Sequence, residues 1–467
     1  MISDGTIIAL STPTGMGAIA LIRLSGPAAI TKVSNVFRAR SGKTLTAVKS
    51  HTAIFGEFMV DQQPLDEVLI TVFKGPHSYT GENVVEIACH GSPFIQQKII
   101  QYLITLGVAL AQPGEFTLRA YLNRKMDLSQ AEAVADLIAA ESAAAHQLAL
   151  QQMRGGFSNE IQALRKQLIE FTALIELELD FSEEDVAFAD RGELQILLTQ
   201  LHKKLSTLMH SFEYGNVIKE GVAVAIAGKP NAGKSSLLNH LLNEERAIVS
   251  DIAGTTRDTI EDTVVFEGVK FRFIDTAGLR KTTDTIEAIG VKKAREKVQK
   301  AKILLYLYDR MDTTLEAVIE DVKSLSHQGL ITLLVDNKID QYSENTPSSF
   351  NTALWSTLKG TYANELVSLS TFDSNTVEML KKKLVQTVNN LANDSSVVIS
   401  NARHFNALKS ALDAIEIVTE GVVSGLSGDL LSIELKEAIA HIATITGEID
   451  VDRDILGTIF GQFCIGK

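Results

Sequence analysis

The sequence predicts a multidomain chain with an α+β N-terminal domain, an all-α helical domain, and an α/β domain inserted into the helical part. Three observations support this prediction. Short extended runs with Gly-Pro and Pro-Gly turns fill residues 1–120. Apolar residues recur at helical spacing in residues 121–217 and 392–467. Between them, in residues 218–391, three apolar runs each end in a polar loop, which is typical of a parallel sheet.

The length and charge limit the classes of protein that fit. At 467 residues the chain has room for about three domains. Lys and Arg number 44 against 57 Asp and Glu, so the net charge of −13 predicts no general attraction to nucleic acid. Any RNA contact must then be local or shared with a partner. Two cysteines, Cys89 and Cys464, provide neither a disulfide framework nor a metal cluster, which favours a reducing, cytoplasmic location. The first 22 residues lack Lys and Arg, and the apolar run Ile7–Leu10 is short, so we expect no signal peptide and no membrane span.

The elements follow in chain order. In the N-terminal domain, strands are expected at residues 19–24, 68–73 and 84–88. Residues 129–132 (Ser-Gln-Ala-Glu) have the pattern of a capping box, which predicts a long helix that Gly155 and Gly156 interrupt. Further helices are expected at residues 161–179, 194–212, 377–391, 405–422, 430–446 and 455–463. Because the termini of compact domains often lie close together, the helices on either side of the insertion should pack as one bundle.

Residues 228–235 (Gly-Lys-Pro-Asn-Ala-Gly-Lys-Ser) have the spacing of a phosphate-binding loop. The apolar run Val222–Ala227 predicts a buried strand before the loop, and residues 236–242 predict a helix after it. Glycines let backbone N–H groups turn towards a phosphate, Lys234 can reach the β and γ phosphates, and Ser235 can bind Mg²⁺. These features predict a nucleotide site.

Two later loops indicate which nucleotide binds. Residues 275–278 (Asp-Thr-Ala-Gly) follow an apolar run and supply a carboxylate near the metal and a Gly N–H near the γ-phosphate. Residues 337–340 (Asn-Lys-Ile-Asp) follow another run, and the Asp340 carboxylate can accept hydrogen bonds from both N1–H and the 2-amino group of guanine, which adenine does not offer. The nucleotide is therefore predicted to be GTP. The residues expected to contact it are Asn231, Ala232, Gly233, Lys234, Ser235, Ser236, Ser250, Asp251, Ile252, Ala253, Gly254, Thr255, Thr256, Asp275, Thr276, Ala277, Gly278, Asn337, Lys338, Asp340 and Ser370.

The residues for hydrolysis depart from those of Ras-type enzymes. Leu279 stands where a water-orienting Gln is usual, and its side chain can neither donate nor accept a hydrogen bond. The Asn231 amide oxygen could hold a monovalent cation beside the β and γ phosphates, or Asn231 could only shape the loop, and both alternatives stay open here. Thr256 is expected to give Mg²⁺ a second hydroxyl ligand beside Ser235. The expected ligands of this cation, which the family resemblance described below implies to be K⁺, are Asn231, Ser250, Ile252 and Thr255.

Six segments of the chain resemble one family, the bacterial and organellar tRNA modification GTPases MnmE (TrmE). They are residues 12–17, 79–82, 113–116, 127–133, 254–258 and the terminal 463–467 (Phe-Cys-Ile-Gly-Lys). The terminal Cys-Ile-Gly-Lys is the most specific of them, because no structural rule requires it. The resemblance covers the whole chain.

The resemblance implies an N-terminal domain that binds tetrahydrofolate and forms a homodimer, and GTP hydrolysis stimulated by K⁺. It also implies that the chain acts on tRNA with an FAD-dependent partner protein, in a heterotetramer. Together they would add an aminomethyl or carboxymethylaminomethyl group to C5 of the wobble uridine, with the carbon taken from a 5-formyl or 5,10-methylene folate. The residues that match the family's folate contacts are Arg23, Glu86, Lys125 and Lys467. Glu287 matches the catalytic base, while Arg280 and Cys464 are further catalytic candidates.

Other interpretations stay open at this point. A ribosome-assembly GTPase of the Era-like branch shares the phosphate loop, but it would normally bring a basic RNA-binding segment, and none is apparent in this sequence. A GTP-switched scaffold without folate chemistry is the other alternative, and folate titration distinguishes it. Cys464 could be a packing residue beside Phe460 and Phe463. Residues 370–372 (Ser-Thr-Phe) replace the family's usual Ser-Ala-Lys or Ser-Ala-Arg, which leaves the packing beside the base open.

Overall fold

The structure, a computed structural model, describes residues 5–180, 191–243, 262–274, 298–342, 349–391, 397–448, 459–461, 463 and 466. The chain divides into two compact units. One contains residues 1–138, 150–195 and 413–467, and the other contains residues 139–149 and 196–412. Within the described ranges, no helix is both long enough and apolar enough to cross a membrane.

The strands form one sheet in each unit. In the first unit the order is β3-β4-β5-β6-β2-β1-β7, and in the second it is β13-β12-β11-β8-β10-β9. The strands are β1 (Ile7–Leu10), β2 (Ile19–Ser25), β3 (Phe37–Ala39), β4 (Thr52–Val60), β5 (Gln63–Phe73), β6 (Val84–His90), β7 (Ala109–Leu110), β8 (Val222–Ala227), β9 (Asp262–Phe266), β10 (Val269–Phe273), β11 (Ile303–Tyr308), β12 (Ile331–Asp336) and β13 (Glu365–Ser368). The strands expected from the sequence are confirmed, although β5 begins earlier than the apolar run that predicted it.

The α-helices of the described residues belong to both units. They are α1 (Ala29–Ser34), α2 (Pro93–Thr105), α3 (Glu115–Leu122), α4 (Leu128–Ala139), α5 (Ala143–Met153), α6 (Gly156–Asp180), α7 (Arg191–Glu220), α8 (Lys234–Asn243), α9 (Leu315–Leu325), α10 (Ser349–Leu358), α11 (Ser374–Asn389), α12 (Ala402–Ser424) and α13 (Gly428–Thr446). The helix expected at residues 455–463 falls mostly outside the described residues.

In the first unit, α1 and α2 cover one face of a mostly antiparallel sheet. Ala20, Ile22 and Leu24 alternate along β2 and point into this core. Since successive side chains of a strand point to opposite faces, Arg23 lies on the other face of the sheet. The two helices α6 and α13 also pack together in this unit, and Arg165 forms an ion pair with Glu448 at 2.5 Å. Because α6 precedes the α/β segment and α13 follows it, the predicted insertion is confirmed.

The second unit is an α/β fold whose sheet is covered on both faces. Helices α8 and α11 pack against one face, where Val222 and Val224 of β8 are buried. Helices α9 and α10 pack against the other face, where Ala225 and Ala227 of the same strand are buried. Strands β13, β12, β11, β8 and β10 run parallel, with β9 antiparallel at the edge. The carboxyl ends of β8, β11 and β12 therefore meet at one edge, which is where α/β sheets bind ligands.

Two expectations about the first helices were wrong. The capping box lies at Asp127 and Gln130 rather than at residues 129–132, because the Asp127 carboxylate accepts the Gln130 N–H and the Gln130 amide oxygen accepts the Asp127 N–H, each at 2.9 Å. The expected long helix is also two helices, α4 and α5. The Ser142 hydroxyl accepts the N–H of Ala145 at 3.2 Å and so caps a new helix after a break at residues 140–142.

Candidate functional site

The phosphate-binding loop connects β8 to α8, as the spacing predicted. Gly228 and Gly233 have φ angles of +139° and +95°, in the region that favours glycine. A Cβ on Gly228 would overlap the Leu307 carbonyl oxygen, and a Cβ on Gly233 would overlap the Asn337 side chain. The two glycines are therefore required both by conformation and by the close approach of the neighbouring strands.

Lys234 begins α8 and holds this loop together. Its Nζ donates to the carbonyl oxygens of Gly228 at 2.7 Å and Lys229 at 2.6 Å. Burial lowers the pKa of the Lys234 ammonium below its usual value, because a charged group loses hydration there. A phosphate beside the ammonium would supply the missing counter-charge. Ser235 and Ser236 follow in the first turn of α8, and the N-terminus of a helix favours an anion.

Asn337 connects the base-recognition loop to the phosphate loop. Its side chain is fully buried, and Nδ2 donates to the carbonyl oxygen of Ala232 at 2.8 Å. Asn337 Oδ1 is buried without a hydrogen-bond partner in the part of the chain that the structure describes. A buried amide that contacts the phosphate loop and has an oxygen left to accept a hydrogen bond fits a nucleotide site. Asn231 is exposed at the tip of the phosphate loop in a left-handed conformation, with φ +64°.

Asp340 and Ser370 lie on adjoining loops. Asp340 is exposed in a single 3-10 turn, Ile339–Gln341, and the Ile339 N–H donates to the Leu369 carbonyl oxygen at 3.3 Å. Ser370 is buried, and its N–H donates to the Thr376 hydroxyl at 3.1 Å. Ser370 thus stabilises its own loop, so a backbone contact to the base would come from a neighbouring N–H.

On the N-terminal sheet, Arg23 and Glu86 lie directly opposite each other on β2 and β6. Arg23 Nε and a terminal guanidinium nitrogen donate to the same Glu86 oxygen at 2.9 and 2.8 Å. The guanidinium carbon also lies 5.4 Å from the ring centre of Tyr79 and 5.8 Å from that of Phe116, within cation–π range. The structure therefore brings two of the four expected folate residues together on an aromatic support.

Lys125 lies at a different place from this pair. It is exposed, and its Nζ donates to the Pro76 carbonyl oxygen at 3.1 Å. The C-terminal segment returns to the N-terminal sheet: the Ser11 hydroxyl donates to the Gly466 carbonyl oxygen at 3.2 Å, and Phe460 packs beside Tyr121.

Several expected site residues lie outside the described part of the chain. They are Ser250, Asp251, Ile252, Ala253, Gly254, Thr255, Thr256, Asp275, Thr276, Ala277, Gly278, Arg280, Glu287, Cys464 and Lys467.

Sequence reasoning missed Asp309 and Tyr342. Asp309 follows β11 at the ligand-binding edge of the sheet and forms an ion pair with Lys338 at 2.9 Å. Tyr342 donates its hydroxyl to Asp309 at 2.8 Å. A signal was present, because an Asp directly after a fully apolar strand has the same placement as the other loop residues.

The fold and this site define a class of protein. A phosphate loop between a parallel strand and a helix, joined through Asn337 to an Asn-Lys-Ile-Asp loop, defines a P-loop GTPase domain. Residues 128–464 match the family described as "MnmE helical domain", and residues 6–125 match "GTP-binding protein TrmE N-terminus".

Full-length relatives agree with these matches. The chain is 51% identical over 473 residues to "tRNA modification GTPase MnmE" of Christiangramia forsetii, covering 99% of each chain. It is 50% identical over 473 residues to the protein of the same name from Flavobacterium psychrophilum, covering 100% of each. It is 48% identical over 474 residues to that of Bacteroides fragilis strain ATCC 25285, again covering 100% of each. The chain belongs to the MnmE family.

Proposed function

We propose that this chain hydrolyses GTP in order to modify tRNA, and that it adds an aminomethyl or carboxymethylaminomethyl group to C5 of the wobble uridine together with an FAD-dependent partner. The observation that carries the proposal is the hydrogen bond between Ser11 and Gly466, because it holds Gly466, the described residue of the Cys-Ile-Gly-Lys motif, beside the sheet that contains Arg23 and Glu86. Relatives of about the same length, named for tRNA modification, support it.

The N-terminal sheet would bind a one-carbon tetrahydrofolate, in the 5-formyl or 5,10-methylene form, which supplies the added carbon. Glu86 suits the N–H donors of a pterin, and Arg23 suits a carboxylate. Lys125 and Lys467 would add cations for the glutamate of the folate. The rings of Tyr79 and Phe116 fix the Arg23 guanidinium, so that this part of the site is formed before the ligand arrives.

The nucleotide site would take GTP with two metal ions. Ser235 and Thr256 are the proposed Mg²⁺ ligands, and Asn231, Ser250, Ile252 and Thr255 are the proposed K⁺ ligands. Support for the K⁺ proposal comes from Asn231, whose exposed, left-handed position presents its amide at the rim of the loop. Glu287 would act as the base on water, and Arg280 would stabilise developing charge. Replacing K⁺ by Na⁺ should slow turnover strongly, and equal rates in the two salts would contradict the K⁺ proposal.

The proposal extends to assembly and domain boundaries. Residues 1–120 would form the folate-binding and dimerisation domain, residues 121–217 and 392–467 the helical domain, and residues 218–391 the GTPase domain. The active assembly would be a homodimer joined by the FAD-dependent partner as a heterotetramer, in the cytoplasm, where tRNA is modified. With a net charge of −13, tRNA binding would depend on local groups and on that partner.

Folate titration into the full chain tests the binding site. Arg23→Gln and Glu86→Gln should each weaken binding of 5-formyl-tetrahydrofolate at least tenfold without changing GTP hydrolysis. Arg38→Gln is the matched control, because Arg38 lies on β3 of the same sheet with a mostly exposed side chain and only a 3.8 Å ion pair. The same folate affinity in all three variants would contradict the proposal that Arg23 and Glu86 bind folate.

Mass analysis of wobble uridines tests the reaction itself. tRNA from cells that lack this chain should lose the C5 modification, and normal modification would overturn the proposed function. Cys464→Ser in the same cells separates the two roles of that cysteine: a modification loss with normal GTP hydrolysis supports a nucleophile, and normal modification makes Cys464 a packing residue.

A further inference from the structure

Asp309 is a nearly buried carboxylate beside the base-recognition loop. Its side chain is 6% exposed, and the residue directly follows Tyr308, the last residue of β11. One oxygen forms the 2.9 Å ion pair with Lys338. The other accepts from the Tyr342 hydroxyl at 2.8 Å and from the Met311 N–H at 3.0 Å. Burial alone would raise the pKa of Asp309, but these hydrogen bonds outweigh it and hold the pKa below its usual range. The carboxylate is thus ionised and accepts from three donors.

Lys338 has an unusual backbone conformation, and its side chain is held by the Asp309 carboxylate. Its φ and ψ angles are +62° and +35°, a left-handed conformation that is unfavourable for a residue with a Cβ. Lys338 is also the residue from which the 3-10 turn carrying Asp340 begins. The backbone angles of Lys338 therefore set the direction in which the Asp340 carboxylate leaves the sheet edge.

Tyr342 closes the loop from its other end. The Arg310 guanidinium lies 4.0 Å from its ring centre, and the Arg310 N–H donates to its hydroxyl at 3.1 Å. Arg310 is in turn held by the buried Asp336 through an ion pair at 3.1 Å. The Tyr342 hydroxyl donates to Asp309, so Lys338 within the four-residue loop and Tyr342 two residues after it are tied to the same carboxylate.

We propose that Asp309 and Tyr342 are positioning residues for guanine recognition: together they hold Lys338 in its left-handed conformation and so aim Asp340 at the base. The proposal rests on the GTP site described above and adds two residues to it. An exposed ion pair would contribute little, but Asp309 is almost fully buried, so losing its charge leaves Lys338 without its partner.

The experiment compares nucleotide binding by Asp309→Asn and Tyr342→Phe in the full chain. Each variant should bind GTP about tenfold more weakly and raise KM similarly, with a much smaller change in kcat at saturating GTP. Tyr342→Phe keeps the ring under Arg310 and removes only the hydroxyl, so it remains informative if Asp309→Asn fails to fold. Asp312→Asn is the matched control, because Asp312 is an exposed Asp three residues along the same loop and should match the wild type.

Binding of inosine triphosphate distinguishes a positioning role from a purely structural one, because a structural role would not change the preference for GTP over inosine triphosphate. It lacks the 2-amino group that Asp340 accepts from, so the wild type should prefer GTP clearly. If Asp309 and Tyr342 aim Asp340, the ratio of the two dissociation constants should fall towards one in both variants. An unchanged ratio, or wild-type GTP affinity in both variants, overturns the inference. A wild-type chain that does not bind GTP would instead overturn the proposed function.

Discussion

We expect Arg119 to contribute strongly to the stability of the N-terminal sheet. It lies on α3 with 3% of its side chain exposed, between Glu115 at 2.9 Å and Glu82 at 3.1 Å. It also donates to the Gly5 carbonyl oxygen at 2.9 Å. Glu82 accepts a further hydrogen bond from the Ser25 hydroxyl at 2.6 Å, so the arginine connects α3 to the loop before β6 and to β2. Arg119→Met keeps a similar length and removes every one of these donors.

The expected loss of stability follows from burial. Removing one partner of a buried ion pair costs about 3–5 kcal/mol, because the other charge stays behind without compensation. Glu115 is 8% exposed, but Glu82 is 24% exposed and can regain some water. We therefore expect a value near the lower limit, about 3 kcal/mol, which corresponds to a change of roughly 150-fold in the opening equilibrium.

Hydrogen exchange of the full chain measures this effect locally. Amides of β2 and β6 should lose protection by about two orders of magnitude. The only tryptophan, Trp355, lies on α10 in the other unit, so its fluorescence should show the same urea transition in both proteins. Arg38→Met is the control and should cost less than about 1 kcal/mol, because its ion pair is exposed. A loss below about 1 kcal/mol for Arg119→Met would refute the reasoning, whereas restoration by adding Glu82→Gln and Glu115→Gln would support it.

Three further predictions follow from individual groups. Asp340→Asn should shift nucleotide preference from GTP towards xanthosine triphosphate, measured by competition binding, and a wild type that hydrolyses ATP as readily as GTP would contradict this assignment. Cys89 is buried, and its pKa is raised to about 11, mainly by desolvation and to a lesser extent by the charge of Asp66. In a Cys464→Ser variant, the Cys89 thiol should therefore react with iodoacetamide at pH 8 only after unfolding. The pKa of Asp309 is depressed in the folded chain, so its ionised form stabilises the fold at pH values above the ordinary Asp pKa of 3.8. This contribution is lost as the pH falls below that value. The difference in melting temperature between the wild type and Asp309→Asn should therefore be largest near neutral pH and shrink on acidification.

Local chemistry in the sequence was sufficient for the nucleotide loop and for the fold class. The apolar run Val222–Ala227 is a strand with the same bounds, because a buried parallel strand needs apolar side chains on both faces. The glycine spacing of residues 228–235 predicted the loop, because both glycines have positive φ and approach other groups closely. Helix boundaries were less predictable. Several nearby polar residues could cap α4, and only the hydrogen bonds identify Asp127 as the one that does.

The contacts between distant residues were decided by the tertiary structure alone. No spacing rule relates Ser11 to Gly466, which are 455 positions apart and meet only because the end of the chain returns to β1. The motif identified Lys338 as a nucleotide-binding residue, but it did not predict the ion pair between Lys338 and Asp309. These two residues meet because β11 and β12 are parallel neighbours, and parallel strands can bring their carboxyl ends together whatever the length of chain between them. Local patterns act over a few bonds, whereas these pairings depend on which strands become neighbours in the folded sheet.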